Sequence, residues 1–183
     1  ETKDNRILRG YKLKATGSEG QASLPKGYLL VLQGNAILAD QIIDEFTHIS
    51  SAGFDVYIYD FCGYGRSEGK RRLKAIISDY LEILAALHSS DYEQQFVYAM
   101  SFGGIALLDG LASHGRLDRV VIDSTPARLS TYGCPQEYDP VEHLPADARN
   151  FLVIAGGNDR VVTPGMSLTR CRASSDMCIS TRM

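Results

Sequence analysis

The sequence lacks the marks of several protein classes. No apolar run approaches the ~20 residues that a membrane-spanning helix needs, so no membrane span is expected in this chain. It has no basic excess either: with 19 Lys and Arg against 22 Asp and Glu the net charge is −3, and no nucleic-acid partner is expected. No repeat, low-complexity tract or Pro/Gly-rich linker divides its 183 residues, which points to a single domain.

Cysteine is scarce, and no CxxC pair occurs among Cys62, Cys134, Cys171 and Cys178. Because Cys and His never cluster at ligand spacing, we expect no metal site. Widely separated thiols favour free cysteines in a reducing compartment, which predicts a cytoplasmic location; a Cys171–Cys178 disulfide is the alternative. The sequence begins with Glu1 rather than Met, which is compatible with removal of an upstream segment.

Short apolar runs alternate with longer amphipathic stretches along the chain. The runs predict strands at residues 7–13, 27–32, 54–59, 95–100, 119–123 and 151–155. Helical spacing of apolar residues predicts helices at 39–52, 73–88 and 102–114. Residues 124–149 contain four prolines and are expected to be irregular. The pattern predicts an α/β fold, a mostly parallel twisted sheet with helices on both faces, with ligands at the carboxyl ends of its strands.

Ser101 lies where a predicted strand runs straight into a predicted helix, within residues 99–103 (AMSFG). This arrangement matches the G-x-S-x-G nucleophile elbow, with Ala99 in place of the first Gly. The turn is so sharp that the positions two before and two after the serine must be small, and Ala99 and Gly103 meet that requirement. We therefore interpret Ser101 as a nucleophile, with the oxyanion that develops on the substrate carbonyl facing the N-terminus of the next helix. A serine that only caps that helix is the alternative.

Two other strand ends carry candidate groups. Residues 33–36 (QGNA) contain a glycine turn that can place the Asn35 N–H beside the nucleophile, where it and the Phe102 N–H would make an oxyanion hole. An ordinary strand–helix turn is the alternative there. Asp159 follows the strand at 151–155 and is the natural acid to orient a histidine, with a simple Asx turn as the alternative.

A third strand end leads into a glycine-rich loop. Residues 60–69 (DFCGYGRSEG) follow the strand at 54–59, and their glycines predict close packing near the site. Their spacing is not that of a phosphate-binding loop. The basic run Lys70, Arg71 and Arg72 that comes next is typical of a solvated face, and attraction of an anionic substrate is the alternative.

With these residues identified, the chain resembles the α/β-hydrolase superfamily. Four landmarks fall in family order: residues 33–36 for the HGNA-type oxyanion turn, 60–69 for the D-x-R-G-x-G-x-S loop, 99–103 for the elbow and 157–164 (GNDRVVTP) for the acid loop. The resemblance is to the small, nearly lidless branch with serine aminopeptidase-like and BEM46-like hydrolases. It implies Ser101 as nucleophile, Asp159 as acid, the Asn35 and Phe102 N–H groups as oxyanion hole, and no metal or organic cofactor.

The chain departs from the family pattern at three places. Gln33 replaces the His of the oxyanion turn, and its amide still forms hydrogen bonds. Cys62 replaces the Arg of the glycine-rich loop, which removes a cation near the floor of the site. The third departure concerns the general base, which in the family is a His that follows the acid. No His follows Asp159 in this sequence.

The four histidines of the chain therefore decide whether a substitute base exists. His48 lies within the first predicted helix, and His88 and His114 lie at the C-termini of helices, on the far side of the sheet from Ser101. His143 lies in the proline-rich connection over the carboxyl ends of the strands. It is the candidate substitute base, and it reaches Ser101 only if that connection folds inward.

Residues 167–183 show neither a helical stripe nor strand alternation, so we divide the chain into a hydrolase core at 1–166 and an atypical tail at 167–183. After the acid, the family would place a helix, a strand, a His loop and a last helix, roughly 40–50 residues. Fewer residues than that follow Asp159. We expect that the reading frame or the expressed sequence is altered near residue 167, losing the last strand and the His. A sheet edge exposed in this way favours a homodimer.

The sequence predicts a serine hydrolase of the carboxylic ester or amide class that acts on a small-molecule or peptide acyl substrate through an acyl-enzyme on Ser101. The alternative is a catalytically impaired fold that serves as a binding module or is a relic. It rests on the missing base, because loss of the triad histidine costs about 10⁶ in kcat in one measured protease. A rearranged triad that uses His143 is the third hypothesis.

Overall fold

The structure is a computed structural model that describes residues 1–17, 24–111, 117–170 and 178–182, with Arg170 and the last range described through their backbone alone. The strands are β1 Gly10–Leu13, β2 Gly27–Leu32, β3 Phe54–Tyr59, β4 Gln94–Met100, β5 Arg119–Asp123, β6 Phe151–Gly156 and β7 Cys178–Arg182. The helices are α1 Ala39–Ile42, α2 Thr47–Ser51, α3 Leu73–His88 and α4 Phe102–Leu111. Short 3₁₀ turns lie at Ile43–Phe46, Ser130–Tyr132, Gln136–Tyr138, Pro140–His143 and Leu168–Arg170.

The described strands form a single sheet in the order β1-β3-β2-β4-β5-β6-β7. Only β1 runs antiparallel, against β3, and every other neighbouring pair is parallel. The carboxyl ends of β2, β4, β5 and β6 therefore meet at one edge of the sheet, where the predicted site residues follow them. This topology confirms the predicted α/β class.

The central strand β2 shows why the core strands read as continuous apolar runs. Tyr28, Leu30 and Leu32 point into the core formed with α3 and α4. Leu29 and Val31 point to the opposite face, where they pack with Ala39 of α1 and with the following turn. Both faces of β2 are covered, so alternation between apolar and polar residues is absent from its sequence.

The predicted helix at 39–52 is broken in the structure. A 3₁₀ turn at Ile43–Phe46 separates α1 from α2. The Thr47 hydroxyl donates a 2.6 Å hydrogen bond to the Asp44 carbonyl, and the Thr47 N–H also reaches back to that carbonyl. A hydroxyl that bonds the backbone locally competes with the helical pattern, which is not visible in the spacing of apolar residues. Helix α4 is described as far as Leu111, and the predicted end at His114 lies outside the described residues.

The region after residue 166 is more ordered than the sequence pattern indicates. Ser167 and Leu168 are fully buried, and the Leu168 N–H donates to the Thr125 carbonyl at 3.1 Å. Strand β7 pairs in parallel with β6, from Leu152 opposite Cys178 to Gly156 opposite Arg182. The local sequence has no strand pattern, and the backbone hydrogen bonds to the edge strand β6 stabilise β7 instead, since strand formation depends strongly on context. The division at residue 166 and the homodimer through a sheet edge stay predictions.

Two thiols are described. Cys134 is exposed, whereas Cys62 is buried under the glycine-rich loop, and neither forms a disulfide. Burial raises the pKa of the Cys62 thiol to about 11. The Cys171–Cys178 pairing falls outside the described side chains, and the cytoplasmic location stays a prediction. Across the ranges that the structure covers, no helix is both long and apolar enough to cross a membrane.

Candidate active site

Ser101 lies in the sharp turn between β4 and α4. Its φ angle is +51°, a left-handed backbone conformation that costs a non-glycine residue energy unless its surroundings hold it. Three hydrogen bonds do so: the Ser101 N–H donates to the Asp123 carbonyl at 2.8 Å, and the Ser101 carbonyl accepts from the Gly104 N–H at 3.1 Å and from Thr125 Oγ1 at 3.2 Å. The strand–turn–helix geometry expected of a nucleophile elbow is therefore present at this serine.

Small residues on either side of Ser101 allow the turn to close. Ala99 is fully buried in β4. A Cβ built on Gly103 would lie 2.2 Å from the Leu32 carbonyl oxygen, well inside contact distance, because the first turn of α4 crosses the end of β2. The close approach brings the residues that follow β2 next to Ser101.

The turn after β2 lies directly beside the serine. A Cβ built on Gly34 would be 3.7 Å from the Ser101 Cβ, and the turn is closed by a 3.4 Å bond from the Ile37 N–H to the Gly34 carbonyl. Among the described residues, the backbone N–H groups of Asn35 and Phe102 donate to no protein acceptor. Two unsatisfied N–H groups on either side of a serine are the donors that an oxyanion hole requires.

Asp159 follows β6 in a tight turn. Its half-buried carboxylate accepts two backbone bonds through Oδ1, at 2.8 Å from the Val161 N–H and 3.0 Å from the Val162 N–H. These are the bonds of the Asx turn, and they leave Oδ2 without a protein partner within the described ranges. Strand β6 is two strands from β4, so the axes of the strands that precede Asp159 and Ser101 lie ~10 Å apart.

The histidines with a described position lie away from this edge. His48 is exposed on α2, which ends just before β3 begins and so lies at the opposite edge of the sheet. His88 ends α3, where its Nδ1 is 3.0 Å from Oε1 of Gln95 near the start of β4. His114 lies outside the described residues.

His143 does not fold inward onto Ser101. Its Nε2 lies 2.7 Å from the Glu137 carbonyl oxygen and 3.5 Å from Oδ1 of Asp109. Asp109 is seven residues beyond Phe102 on α4, about 10 Å along the helix axis. Burial raises the pKa of Asp109, and the neighbouring His143 opposes that rise. The structure therefore does not place His143 as a substitute base. The proline-rich connection packs along α4, and there the His143 ring contacts Asp109 and the Glu137 carbonyl.

The glycine-rich loop supports the oxyanion turn from the other side. Asp60 is buried, and its Oδ1 accepts the Ala39 N–H at 2.8 Å, which holds the start of α1 against the loop. A side chain on Gly65 would meet the Asp60 carboxylate. Tyr64 Oη donates a 2.6 Å hydrogen bond to Oδ1 of Asn35. Cys62 is fully buried in this loop and packs in the core, where its thiol donates a 3.3 Å hydrogen bond to the Lys70 carbonyl.

One supporting residue, Asp123, was missed in the sequence, and for Gln33 the structure supplies the hydrogen-bond partner. Asp123, at the end of β5, holds the Ser101 N–H through its carbonyl, and its carboxylate accepts from Tyr98 Oη at 2.8 Å and Ser124 Oγ at 3.0 Å. A carboxylate at the carboxyl end of a predicted parallel strand was the available signal. Gln33, also fully buried, donates to the Tyr59 carbonyl through Nε2, and its Oε1 accepts no hydrogen bond. In the described part of the chain, no three His, Cys, Asp or Glu side chains group as metal ligands.

Comparison with known proteins identifies the family of this chain. The family model described as serine aminopeptidase, S33 matches residues 23–141. An α/β-hydrolase domain-containing protein of Caenorhabditis elegans, aho-3, is 30% identical over 165 residues, which covers 80% of this chain and 48% of that protein. The chain thus spans about half the length of this curated relative.

Solved structures share the fold at low sequence identity. An esterase from Exiguobacterium antarcticum superposes with a TM-score of 0.71 at 11% identity, covering 100% of this chain and 89% of that one. A monoglyceride lipase variant from Saccharomyces cerevisiae gives a TM-score of 0.70 at 12% identity, covering 100% and 84%. The resemblance seen in the sequence motifs is confirmed, and the chain belongs to the serine aminopeptidase S33 family of α/β-hydrolase-fold serine hydrolases.

Proposed function

We propose that this chain hydrolyses carboxylic esters or amides through an acyl-enzyme on Ser101. The observation that supports the proposal is the left-handed backbone conformation of Ser101, whose φ is +51°. The residue lies between a buried strand and the N-terminus of a helix, and two backbone N–H groups that are unpaired in the described part of the chain lie beside it. Strain of this kind at a serine is typical of a functional site. A serine that merely capped α4 would have no need of it.

The proposed reaction has two halves. Ser101 Oγ attacks the substrate carbonyl carbon and loses its proton to a base, while the carbonyl π electrons move to oxygen, where the Asn35 and Phe102 N–H groups stabilise them. Collapse of the tetrahedral intermediate expels the alcohol or amine, which takes up a proton. Water then attacks the acyl-enzyme, releases the carboxylic acid and restores the Ser101 hydroxyl.

The second candidate function is a catalytically impaired fold that binds acyl compounds and turns them over slowly or not at all. The placement of His48, His88 and His143 away from Ser101 favours it. Without an imidazole between Ser101 and Asp159, the serine proton passes to solvent. The oxyanion hole and substrate binding then supply the remaining catalysis, typically 10³–10⁴-fold over water.

A fluorophosphonate probe separates the two candidates. A nucleophilic Ser101 is expected to be labelled in the wild-type chain and not in Ser101→Ala. Ser124→Ala is the matched control, because Ser124 also has a positive φ and lies at the end of the neighbouring strand β5. Labelling of the wild type and of Ser124→Ala, with no labelling of Ser101→Ala, supports the acyl-enzyme. Wild-type labelling no stronger than that of Ser101→Ala supports the impaired fold.

The Asp159→Asn variant tests the acid. The amide oxygen of Asn can still accept the Val161 and Val162 N–H bonds, so the turn and the free energy of unfolding should change little. If the carboxylate charge acts on the reaction, kcat/KM for p-nitrophenyl butyrate should fall by about tenfold or more, equivalent to about 1.4 kcal/mol. Unchanged kcat/KM in a stably folded variant would assign Asp159 a turn-forming role alone.

A further inference from the structure

A positioned cation directly follows the glycine-rich loop, whose Tyr64 contacts the oxyanion turn. Arg71 is exposed, and its guanidinium carbon lies 4.9 Å from the ring centroid of Tyr64. Its Nε donates a 2.9 Å hydrogen bond to the Gly63 carbonyl. The stem packs where Gly63 has no side chain, since a Cβ there would be 3.0 Å from Arg71 Cγ. Ring contact and hydrogen bond together hold the guanidinium in one orientation.

Two chains of contacts connect this guanidinium with Asn35 and Phe102, the residues whose backbone N–H groups form the proposed oxyanion hole. Tyr64, on which Arg71 stacks, donates its hydroxyl to the Asn35 side chain of the oxyanion turn at 2.6 Å. The Tyr64 ring also packs edge-on against Phe61, at 5.7 Å between centroids. Phe61 in turn contacts Phe102, the residue after Ser101, at 5.4 Å. Arg71 is therefore fixed relative to both sides of the site.

The outward end of Arg71 is available to a ligand. Within the described ranges neither of its Nη groups forms an ion pair or a hydrogen bond. The Nε side of the guanidinium is held by the Gly63 carbonyl, and the two Nη groups are unpaired among the described residues. Such a guanidinium suits bidentate binding of a carboxylate or phosphate. Lys70 and Arg72, its neighbours in the sequence, are exposed as well.

We infer that Arg71, stacked on Tyr64, is a specificity-determining residue that binds an oxyanion on the substrate. The substrate class is then an acyl compound with a carboxylate or phosphate at a distance from the scissile carbonyl. This inference rests on the proposed function for its kinetic consequence, although anion binding beside Ser101 does not itself need turnover.

The kinetic arm compares mono-4-nitrophenyl glutarate with neutral 4-nitrophenyl valerate. Wild type is expected to prefer the anionic ester. Arg71→Met, which keeps the stem and removes the charge, should reduce the ratio of the two kcat/KM values by about tenfold. Arg72→Met removes the same charge from the next residue and should leave the ratio within about twofold. Equal ratios in the two variants would overturn the inference, because a general surface charge would then explain the preference.

A binding arm keeps the test independent of turnover. Calorimetry compares 4-carboxyphenylboronic acid with phenylboronic acid, and inorganic phosphate and glutarate are added as separate competitors to distinguish phosphate from carboxylate recognition. A preference for the carboxylated probe that Arg71→Met removes and Arg72→Met keeps supports the inference, even if neither ester is hydrolysed. Ester turnover without any charge preference supports the proposed function and overturns the inference. If neither boronic acid binds the wild type, the proposed nucleophile fails, and glutarate and inorganic phosphate are titrated directly. Failure of both anions to bind the wild type overturns the inference.

Discussion

Replacing Asp79 with Ala is expected to lower the free energy of unfolding by about 3–5 kcal/mol, a loss measurable by urea denaturation. Asp79 lies on α3 with 1% of its side chain exposed, and its two carboxylate oxygens bind the Arg6 guanidinium at 2.6 and 3.1 Å. Removal of the carboxylate leaves a largely buried cation without its main partner. A loss of this size is a large share of the ~5–15 kcal/mol that stabilises a typical domain.

Asp4 provides the matched control for Asp79. It binds the same guanidinium through Nε at 2.7 Å, but its side chain is mostly exposed to water, so Asp4→Ala should cost far less. The double variant with Arg6→Met and Asp79→Leu should recover most of the loss, because it removes both charges together. Equal losses for Asp4→Ala and Asp79→Ala would show that burial of the pair is not what matters.

Replacing Gly103 with Ala should both destabilise the fold and disturb Ser101. In an unconstrained helix this change gains about 1 kcal/mol of helix propensity. Here the new Cβ would meet three backbone atoms of Leu32 and Gln33 at 2.2–2.8 Å, which cannot move without shifting β2 or α4. Overpacking of this kind typically costs about 1–3 kcal/mol. A displacement of ~1 Å between Ser101 and the oxyanion turn lowers rates on the order of 10²-fold, which fluorophosphonate labelling rates would show.

Gly110 in the same helix is the comparison position. A Cβ there would lie 3.2 Å from Leu81 Cδ2, 3.4 Å from Leu81 Cγ and 3.8 Å from Ile77 Cγ2, and no backbone atom is among these nearest contacts. Gly110→Ala should therefore be neutral or slightly stabilising and leave labelling of Ser101 intact. If thermal unfolding gave the same shift for both variants, the contact with β2 would not be the cause of the Gly103 effect.

The elements that the sequence predicts well are those whose packing is uniform along their length. Strands β2, β3 and β5 and helix α3 have the predicted bounds because each is covered continuously, and their apolar residues therefore follow a regular pattern. The interruption at Ile43–Phe46 depends on one hydroxyl bond from Thr47. Strand β7 depends on pairing with β6 rather than on any pattern of its own. Neither effect changes the periodicity of the sequence.

In the candidate site too, some features follow from the sequence pattern and others do not. The positions of Ser101 and Asp159 at strand ends follow from the strand–helix order, because parallel strands bring their carboxyl ends to one edge. The bond between Tyr64 and Asn35 and the contact of His143 with Asp109 join residues from separate connections. Such contacts depend on where each loop folds, and the sequence contains no periodic signal for that. The sequence therefore predicts where the chemistry lies more readily than which side chains surround it.

Three non-glycine residues with positive φ, Ala36, Ser101 and Ser124, follow β2, β4 and β5 at the same edge of the sheet. Each such conformation costs on the order of 1 kcal/mol or more. A directed-evolution experiment that selects only for thermal stability should therefore collect substitutions here first, Gly at position 36 or 124 being the simplest. Selection for activity should reject changes at Ser101. The accepted substitutions would show at which of these three positions the strained backbone is needed for activity and at which it can be removed without loss of activity.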